Sequence, residues 1–136
     1  MTPKEVILKA YEGGKPDRLP VTLFGAGMWS IKRHGTSFEA LSRDANKMTD
    51  MLVAMSETLK CDIVYPGSGY NNFHATALGG KIKWREVGAP DLENHFVSSE
   101  DDLAKLKLTD LDKDEVISTV IKALRQTKAK IGNKYV

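Results

Sequence analysis

The sequence contains very little cysteine and no long apolar run. Cys61 is the only cysteine among 136 residues, which excludes an intrachain disulfide and favours a reducing compartment. No apolar stretch approaches the roughly 20 residues of a membrane span, and the chain opens on charged residues instead of a signal-peptide core. The composition therefore predicts a soluble, cytoplasmic protein with no membrane partner.

The chain also lacks an excess of one charge, internal repeats and low-complexity tracts. Its 20 Lys and Arg residues are offset by 18 Asp and Glu residues, and the lysines are scattered among the acids. Nucleic-acid binding needs a clustered basic face, so no nucleic-acid partner is expected. Because no linker divides the chain, residues 1–136 are predicted to form a single unit.

The N-terminal segment predicts a capped helix, a turn and a strand. Thr2 and Glu5 have the spacing of a capping box, which satisfies free backbone donors in the first helical turn. Gly13 and Gly14 can adopt the left-handed conformation that commonly ends a helix. Two prolines then keep the chain extended until an apolar segment, residues 21–24, which we expect to be a strand.

Helix and strand patterns alternate in the rest of the chain, as in an α/β protein. Asp44 is placed to cap a long helix whose apolar residues recur at steps of three and four, which is typical of a buried face. These apolar residues are Met48, Met51, Leu52, Met55 and Leu59. We expect residues 61–65 to form a second strand, and residues 81–87 and 95–97 to pair as a hairpin.

Charged residues stand in two unusual places. Asp62 lies within the apolar second strand, where a carboxylate must find a partner or shift its pKa. Asp17 and Arg18 lie in the turn before the first strand, and we expect them to clamp that turn. The favoured role of Asp62 is structural, bonded to Arg18 or to a neighbouring backbone group, and the alternative is a place in a ligand pocket.

Three segments, in their order and spacing, resemble the uroporphyrinogen decarboxylase superfamily. They are MTPKEVILKAYEGGKPDRLPVTLFGAG, DANKMTDMLVAMSETLKCDIVYP and ALGGKIKWREVGAPDLENHFVSSEDDLAKL. The second segment resembles the first barrel helix and second strand of the branch that contains the methylcobalamin:coenzyme M methyltransferases and related corrinoid-dependent methyltransferases.

The resemblance implies an α/β fold, the N-terminal portion of a (β/α)8 TIM-type barrel with an N-terminal helix and a rim β-hairpin. Such a barrel takes about 250 residues, so we expect it to be incomplete in this chain. Residues 1–136 would then be a single N-terminal fragment of the barrel domain, not catalytic by itself.

The resemblance also implies a function for the parent enzyme. The favoured interpretation is a corrinoid (cobalamin)-dependent methyltransferase, which moves a methyl group between a methylated cobalamin and a thiol or folate acceptor. The alternative is a tetrapyrrole decarboxylase, which in this family holds substrate carboxylates with arginines just after the first strand. Residues 24–30 contain no arginine, although Lys32 and Arg33 follow closely.

Zinc is the second cofactor that the resemblance implies for the parent enzyme. The family's methyltransferases bind it through a His-x-Cys motif and a distant cysteine, and the metal deprotonates a thiol acceptor. The sequence has no such motif, because His34, His74 and His95 are widely separated and Cys61 stands alone. We therefore expect no cofactor in this fragment, with corrinoid and zinc possible in the full-length parent.

The predicted ligand face consists of two loops, one after each of the first two strands, where barrel enzymes place their active sites. The expected ligand-binding residues are Met28, Trp29, Tyr70, Asn71 and His74, with no catalytic or metal-binding residue in this chain. Such groups suit a flat corrinoid or other tetrapyrrole. The alternatives are rim packing for Trp29, a helix-surface position for His74, and turn chemistry for Asn71.

An incomplete barrel leaves strand edges open, and open edges invite association. Besides the tetrapyrrole ligand, the expected partners are therefore a second copy of the chain, in a homo-oligomer, or the missing C-terminal part of the barrel. A hypothesis from another class is that the chain is a non-catalytic, self-associating module.

Overall fold

The computed structural model describes residues 1–23, 26–65, 72–86, 88–107 and 110–136. Its helices are α1 (Pro3–Tyr11), α2 (Ala26–Arg33), α3 (Phe38–Ser42), α4 (Ala45–Leu59), α5 (Phe73–Thr76), α6 (Glu100–Lys105) and α7 (Glu115–Ile131). Its strands are β1 (Ile82–Lys83) and β2 (Asp91–Leu92), and a 3₁₀ turn (Leu111–Lys113) precedes α7. None of the helices in these ranges combines the length and the hydropathy that a membrane crossing requires.

Helix α1 confirms the prediction for the start of the chain. The Thr2 hydroxyl accepts a hydrogen bond from the Glu5 N–H, and the Glu5 carboxylate accepts one from the Thr2 N–H at 2.7 Å, so the capping box is complete. Gly13 follows the helix with a φ of 74°, a left-handed conformation that glycine adopts without strain. Lys4 joins α1 to the end of the chain, because its N–H donates to the Lys134 carbonyl at 2.9 Å.

Helices α4 and α7 lie side by side at the centre of the molecule and run in the same direction. Gln126 donates to the Asn46 side chain at 3.0 Å, and Lys130 pairs with Asp50 at 2.8 Å. The two contacts are four residues apart on each helix and occur in the same order along the chain, so the helices are parallel. Parallel neighbouring helices are typical of α/β folds built from repeated helix–strand units.

The predicted methionine stripe of α4 forms the core, as expected. Met48, Met51, Leu52 and Met55 are buried in one cluster, and Leu59 packs against it. Other members of the cluster come from α2, α3, α5 and α7, namely Ile31, Phe38, Leu41, Phe73 and Ala123. Through this cluster, α2 and α5 both pack against α4. These are the helices that follow the two predicted ligand-binding loops.

Extended segments follow α4 and α7 and lie next to each other. The Val64 N–H donates to the Val136 carbonyl at 2.8 Å, and the Val136 N–H donates to the Asp62 carbonyl at 3.4 Å. Bonding of one residue to both neighbours of its opposite position is the pattern of a parallel pair. The Asp62 N–H donates to the Val21 carbonyl at 2.7 Å, so the segment that contains Val21 lies beside the segment that follows α4.

The predictions of regular strands at residues 21–24 and 61–65 are wrong for the residues that the structure describes. None of these residues is in a strand, and Phe24 lies outside the described ranges. The chain bends at Asp62, and the Asp62 carboxylate takes the Val21 N–H at 2.7 Å. In a regular parallel pair, the Val21 N–H would donate to a backbone carbonyl of the neighbouring segment. Because it donates to the Asp62 side chain, the two segments share isolated backbone hydrogen bonds and no regular ladder.

The predicted hairpin is present, but its second strand is not the one expected. Strand β1 pairs antiparallel with β2, and Ile82 lies opposite Leu92. Residues 95–97, the expected partner, form no strand. An ion pair of 2.7 Å between Arg85 and Asp91 links the two arms and favours the nearer segment. The hairpin follows α5, and its residues Arg85 and Glu86 line a groove together with residues of α2.

Candidate functional site

A cluster of polar groups, here called the polar corner, consists of Arg18, Val21 and Asp62. Asp62 is 0% exposed. Arg18 donates to both of its carboxylate oxygens, through Nη1 at 2.7 Å and through Nη2, and the Val21 N–H donates to Oδ2 at 2.7 Å. The hydrogen bonds from Arg18, helped by the one from Val21, hold the pKa of Asp62 below its usual value against the opposing effect of burial.

The polar corner confirms that Asp62 is partnered by Arg18 and by a backbone group. A buried carboxylate with three donors has little capacity left for a ligand. The corner joins the turn before the first predicted loop to the start of the second extended segment. These contacts agree with the structural role that the sequence favours for Asp62.

The exposed side of α2 carries two of the predicted ligand-binding residues. Met28 is 39% exposed and Trp29 is 43% exposed. The Arg33 guanidinium lies over the Trp29 ring, 5.4 Å from its centroid, which is a cation–π contact. Trp29 is therefore held by its own helix and keeps a large part of its ring accessible.

A groove of about 310 Å³ lies between α2, the turn that joins α2 to α3, and the hairpin. We call it the α2 groove. Its floor is apolar and includes Met28, Ile31 and Phe38. Its rim carries three charged residues, Lys32, Arg85 and Glu86. An apolar floor with a few polar groups at the edge is the usual composition of a small-molecule site.

Helix α5 carries His74 and is tied to two other parts of the fold. The Asn72 side chain donates to the Pro90 carbonyl at 2.9 Å, and the Thr76 hydroxyl lies 2.9 Å from the Asp114 carboxylate, which accepts from it. The Phe73 ring, whose centroid is 5.7 Å from that of Trp84, packs beneath the helix. His74 itself is exposed, as its alternative interpretation on a helix surface predicts.

The structure places the five predicted ligand-binding residues at different points. Met28 and Trp29 are neighbours on α2, and His74 lies on α5. Tyr70 and Asn71 lie outside the described residues. The ligand roles of these five residues stay predictions.

Sequence reasoning missed two residues of the α2 groove, Arg85 and Glu86. The alternation of Lys81, Lys83 and Arg85 predicts a solvated strand face, and all three are indeed exposed. Nothing in the local pattern indicates that this arm turns towards Lys32, which lies about 50 residues earlier in the chain. Only the packing of the hairpin against α2 brings these groups together.

Within the described ranges, no three His, Cys, Asp or Glu side chains come together as a metal ion requires. Cys61 is buried, whereas His34, His74 and His95 are exposed in separate parts of the chain. The residues that the structure describes therefore do not fit the zinc site of the family's methyltransferases.

Comparisons with known proteins identify relatives of the whole chain. The model of the family described as Uroporphyrinogen decarboxylase (URO-D) matches residues 2–136. Among solved structures, a methyltransferase from Methanosarcina mazei superimposes with a TM-score of 0.72 at 20% sequence identity. The superposition covers 99% of this chain and 40% of that chain, so this chain spans two fifths of the neighbour's length. No curated protein matches the sequence.

Proposed function

Because the chain belongs to the uroporphyrinogen decarboxylase family, we propose that it is the N-terminal part of a (β/α)8-barrel enzyme and that this enzyme is a corrinoid-dependent methyltransferase. The parallel helices α4 and α7, with adjacent parallel segments after them, support the barrel. A structural neighbour of which this chain covers 40% supports a parent longer than residues 1–136. Alone, residues 1–136 would not complete a catalytic site.

The observation that carries the methyltransferase proposal is the exposed Trp29 on α2, the helix whose Met28 and Ile31 line the α2 groove. A corrinoid presents a broad flat face with amide groups at its edge, which an indole can stack against and an apolar surface can cover. A porphyrinogen that is to be decarboxylated carries many carboxylates instead. Those groups are best held by bidentate arginines, and residues 24–30 contain none.

The residues present fit a corrinoid, since Trp29 can stack on its face and the Met28 thioether can fill the remaining space. When bound, the corrinoid supplies the methyl group. The protein's part here is to bind and orient it and to exclude water from its covered face. We assign no step to zinc, because the described residues do not fit a zinc site.

The decarboxylase alternative depends on cations near α2. Arg33 lies over Trp29, and Arg85 is paired with Asp91 at 2.7 Å. Lys32 is the remaining cation of the α2 groove, and a single ammonium is a poor match for several carboxylates. The described surface therefore favours the methyltransferase.

We also propose a partner surface and a location. A second groove, of about 380 Å³ between α1 and α7, is lined largely by apolar residues that include Leu8, Leu124 and Val136. In a complete barrel such a surface would be covered by the rest of the domain, which supports association with the C-terminal part over a homo-oligomer. The lone, buried Cys61 supports a reducing cytoplasm.

Calorimetric titration with methylcobalamin and with a coproporphyrinogen tests the proposal. We expect methylcobalamin to bind, and Trp29→Ala to weaken its binding about tenfold through loss of stacking. Tyr11→Ala is the matched control, because Tyr11 is also an exposed aromatic residue on a helix but lies on α1 and not on α2. Tighter binding of the porphyrinogen, or equal effects of the two variants, would contradict the proposal.

A further inference from the structure

Trp29 and Arg33 form a stacked pair on the exposed side of α2. They are four residues apart, which places their side chains on the same face of the helix. The Arg33 guanidinium carbon lies over the Trp29 ring, 5.4 Å from its centroid, inside the roughly 6 Å reach of a cation–π contact. A cation in this position covers one face of the indole, while 43% of the Trp29 surface stays exposed.

Among the residues that the structure describes, no acidic side chain competes with Trp29 for this guanidinium. Arg33 takes part in no ion pair within that part of the chain. Arg18, Arg43 and Arg85, by contrast, each pair with a carboxylate. A carboxylate within reach would draw the guanidinium off the ring, because charge-assisted hydrogen bonds to it are strong and directional. In this structure the Arg33 side chain is therefore committed to the indole.

The backbone beneath the pair is fixed by the core and by the end of the helix. Ile31, which lies between the two residues in the chain, belongs to the buried cluster. The His34 N–H donates to the Ser30 carbonyl at 3.0 Å, and His34 Nδ1 lies 2.8 Å from the same oxygen. With the backbone held, the remaining freedom of Trp29 is in its side-chain rotamers, and the contact with Arg33 favours one of them.

We propose that Arg33 is a positioning residue that holds the Trp29 indole ready for a flat ligand. The guanidinium covers one face of the ring, and the ligand stacks on the opposite face. Arg33 acts through Trp29 and makes no contact with the ligand. Because the ring is ordered before binding, less side-chain freedom is lost when the ligand binds, and the affinity rises. The inference deepens the proposed function and rests on it, because the flat ligand is the corrinoid.

The first measurement is made on the ligand-free 136-residue chain. Trp29 and Trp84 give separate indole N–H signals in two-dimensional NMR, and the heteronuclear Overhauser effect of each signal reports the fast motion of its ring. We expect Arg33→Met to lower this value for Trp29 and Arg33→Lys to lower it less. Trp84 is the internal reference, because its ring centroid lies 5.7 Å from that of Phe73. An unchanged Trp29 value in Arg33→Met would overturn the proposal.

The second measurement is a double-mutant cycle on methylcobalamin affinity, determined by calorimetry. Arg33→Met should weaken binding about two- to fivefold, the usual value of an exposed cation–π contact, and Arg33→Lys should weaken it less. In the Trp29→Ala background, Arg33→Met should have no further effect, because the residue through which Arg33 acts is gone. Lys134→Met is the matched control, because the Lys134 ammonium also lies over a ring, 5.2 Å from the Tyr135 centroid, but outside α2.

The cycle separates failure of the positioning role from failure of the proposed function. If wild type does not bind methylcobalamin, the proposed function falls and the positioning role falls with it. If wild type binds, equal binding by Arg33→Met or an equal effect of Lys134→Met would overturn the positioning role alone. The same loss from Arg33→Met with and without Trp29 would also overturn it, since Arg33 would then contact the ligand directly.

Discussion

At the polar corner, Arg18 and the Val21 N–H donate three hydrogen bonds to the buried Asp62 carboxylate. In the α2 groove, Lys32 and Glu86 line an open cavity, and neither has an ion-pair partner among the residues that the structure describes. The corner is closed to any further ligand, and the groove is not. In barrel enzymes, side chains at the amino-terminal ends of strands stabilise the fold and those beyond the carboxyl ends bind substrates. The contrast teaches that charged side chains are consumed by the fold in one region and stay accessible to solvent in the other.

The largest effect should come from breaking the corner. Asp62→Ala leaves the Val21 N–H without its acceptor and removes the partner of Arg18, so we expect a loss of about 3–5 kcal/mol in the free energy of unfolding. Urea denaturation measures this loss. Asp50→Ala is the matched control, because Asp50 pairs with Lys130 at 2.8 Å on the exposed surface and should contribute about 0–1 kcal/mol. Equal losses in the two variants would remove the distinction between a buried and an exposed pair.

The free energy of unfolding should depend on pH through the ionisation of the Asp62 carboxylate. Because the folded pKa of Asp62 is lowered, its stabilisation is complete above the unfolded pKa, about 3.9, and is lost as the pH falls from there through the folded pKa. We expect the stability difference between wild type and Asp62→Asn to be largest near pH 6 and to shrink towards pH 3. Urea midpoints at several pH values measure it. A difference that grew on acidification would have the wrong sign for this account.

Removing Trp29 should affect binding and leave folding unchanged. Its exposed ring contacts Arg33 on the same helix and adds little to the core, so Trp29→Ala should change the free energy of unfolding by less than about 0.5 kcal/mol. The same variant should weaken methylcobalamin binding about tenfold, whereas Arg33→Lys, which keeps the charge, should have a smaller effect. Denaturation and calorimetry on one preparation separate the two effects. A large loss of stability in Trp29→Ala would identify the residue as rim packing.

The smallest effect on stability should come from the groove charges. Lys32→Met and Glu86→Gln remove groups without ion-pair partners in the described structure, so each should change the free energy of unfolding by no more than about 0.5 kcal/mol. Denaturation midpoints check this. A loss comparable with that of Asp62→Ala would place these charges in the folded framework and end the contrast between the two regions.

Features decided by neighbouring residues were predictable from the sequence. The Thr2–Glu5 capping box and the buried face of α4 depend on spacings of three and four residues, and both are present as expected. The pairing of Asp62 was also predictable, because a carboxylate in an apolar segment needs a partner, and both favoured partners, Arg18 and a backbone group, bond to it.

Features decided by distant contacts were not predictable in detail. The sequence predicted residues 95–97 as the partner of the first hairpin strand, but β1 pairs with residues 91–92, and the Arg85–Asp91 ion pair accompanies that pairing. The strand prediction at residues 61–65 failed because the Asp62 side chain competes with the backbone for the Val21 N–H. The meeting of Lys32 and Glu86 in one groove depends on packing between elements far apart in the chain.

The most direct test of the contrast is a map of backbone amide shifts during titration of the 136-residue chain with methylcobalamin. The account predicts that the largest shifts fall on residues 28–33, the exposed side of α2, and that Arg18, Val21 and Asp62 stay unchanged. Shifts centred on the polar corner, or no shifts on α2 at saturating methylcobalamin, would contradict it.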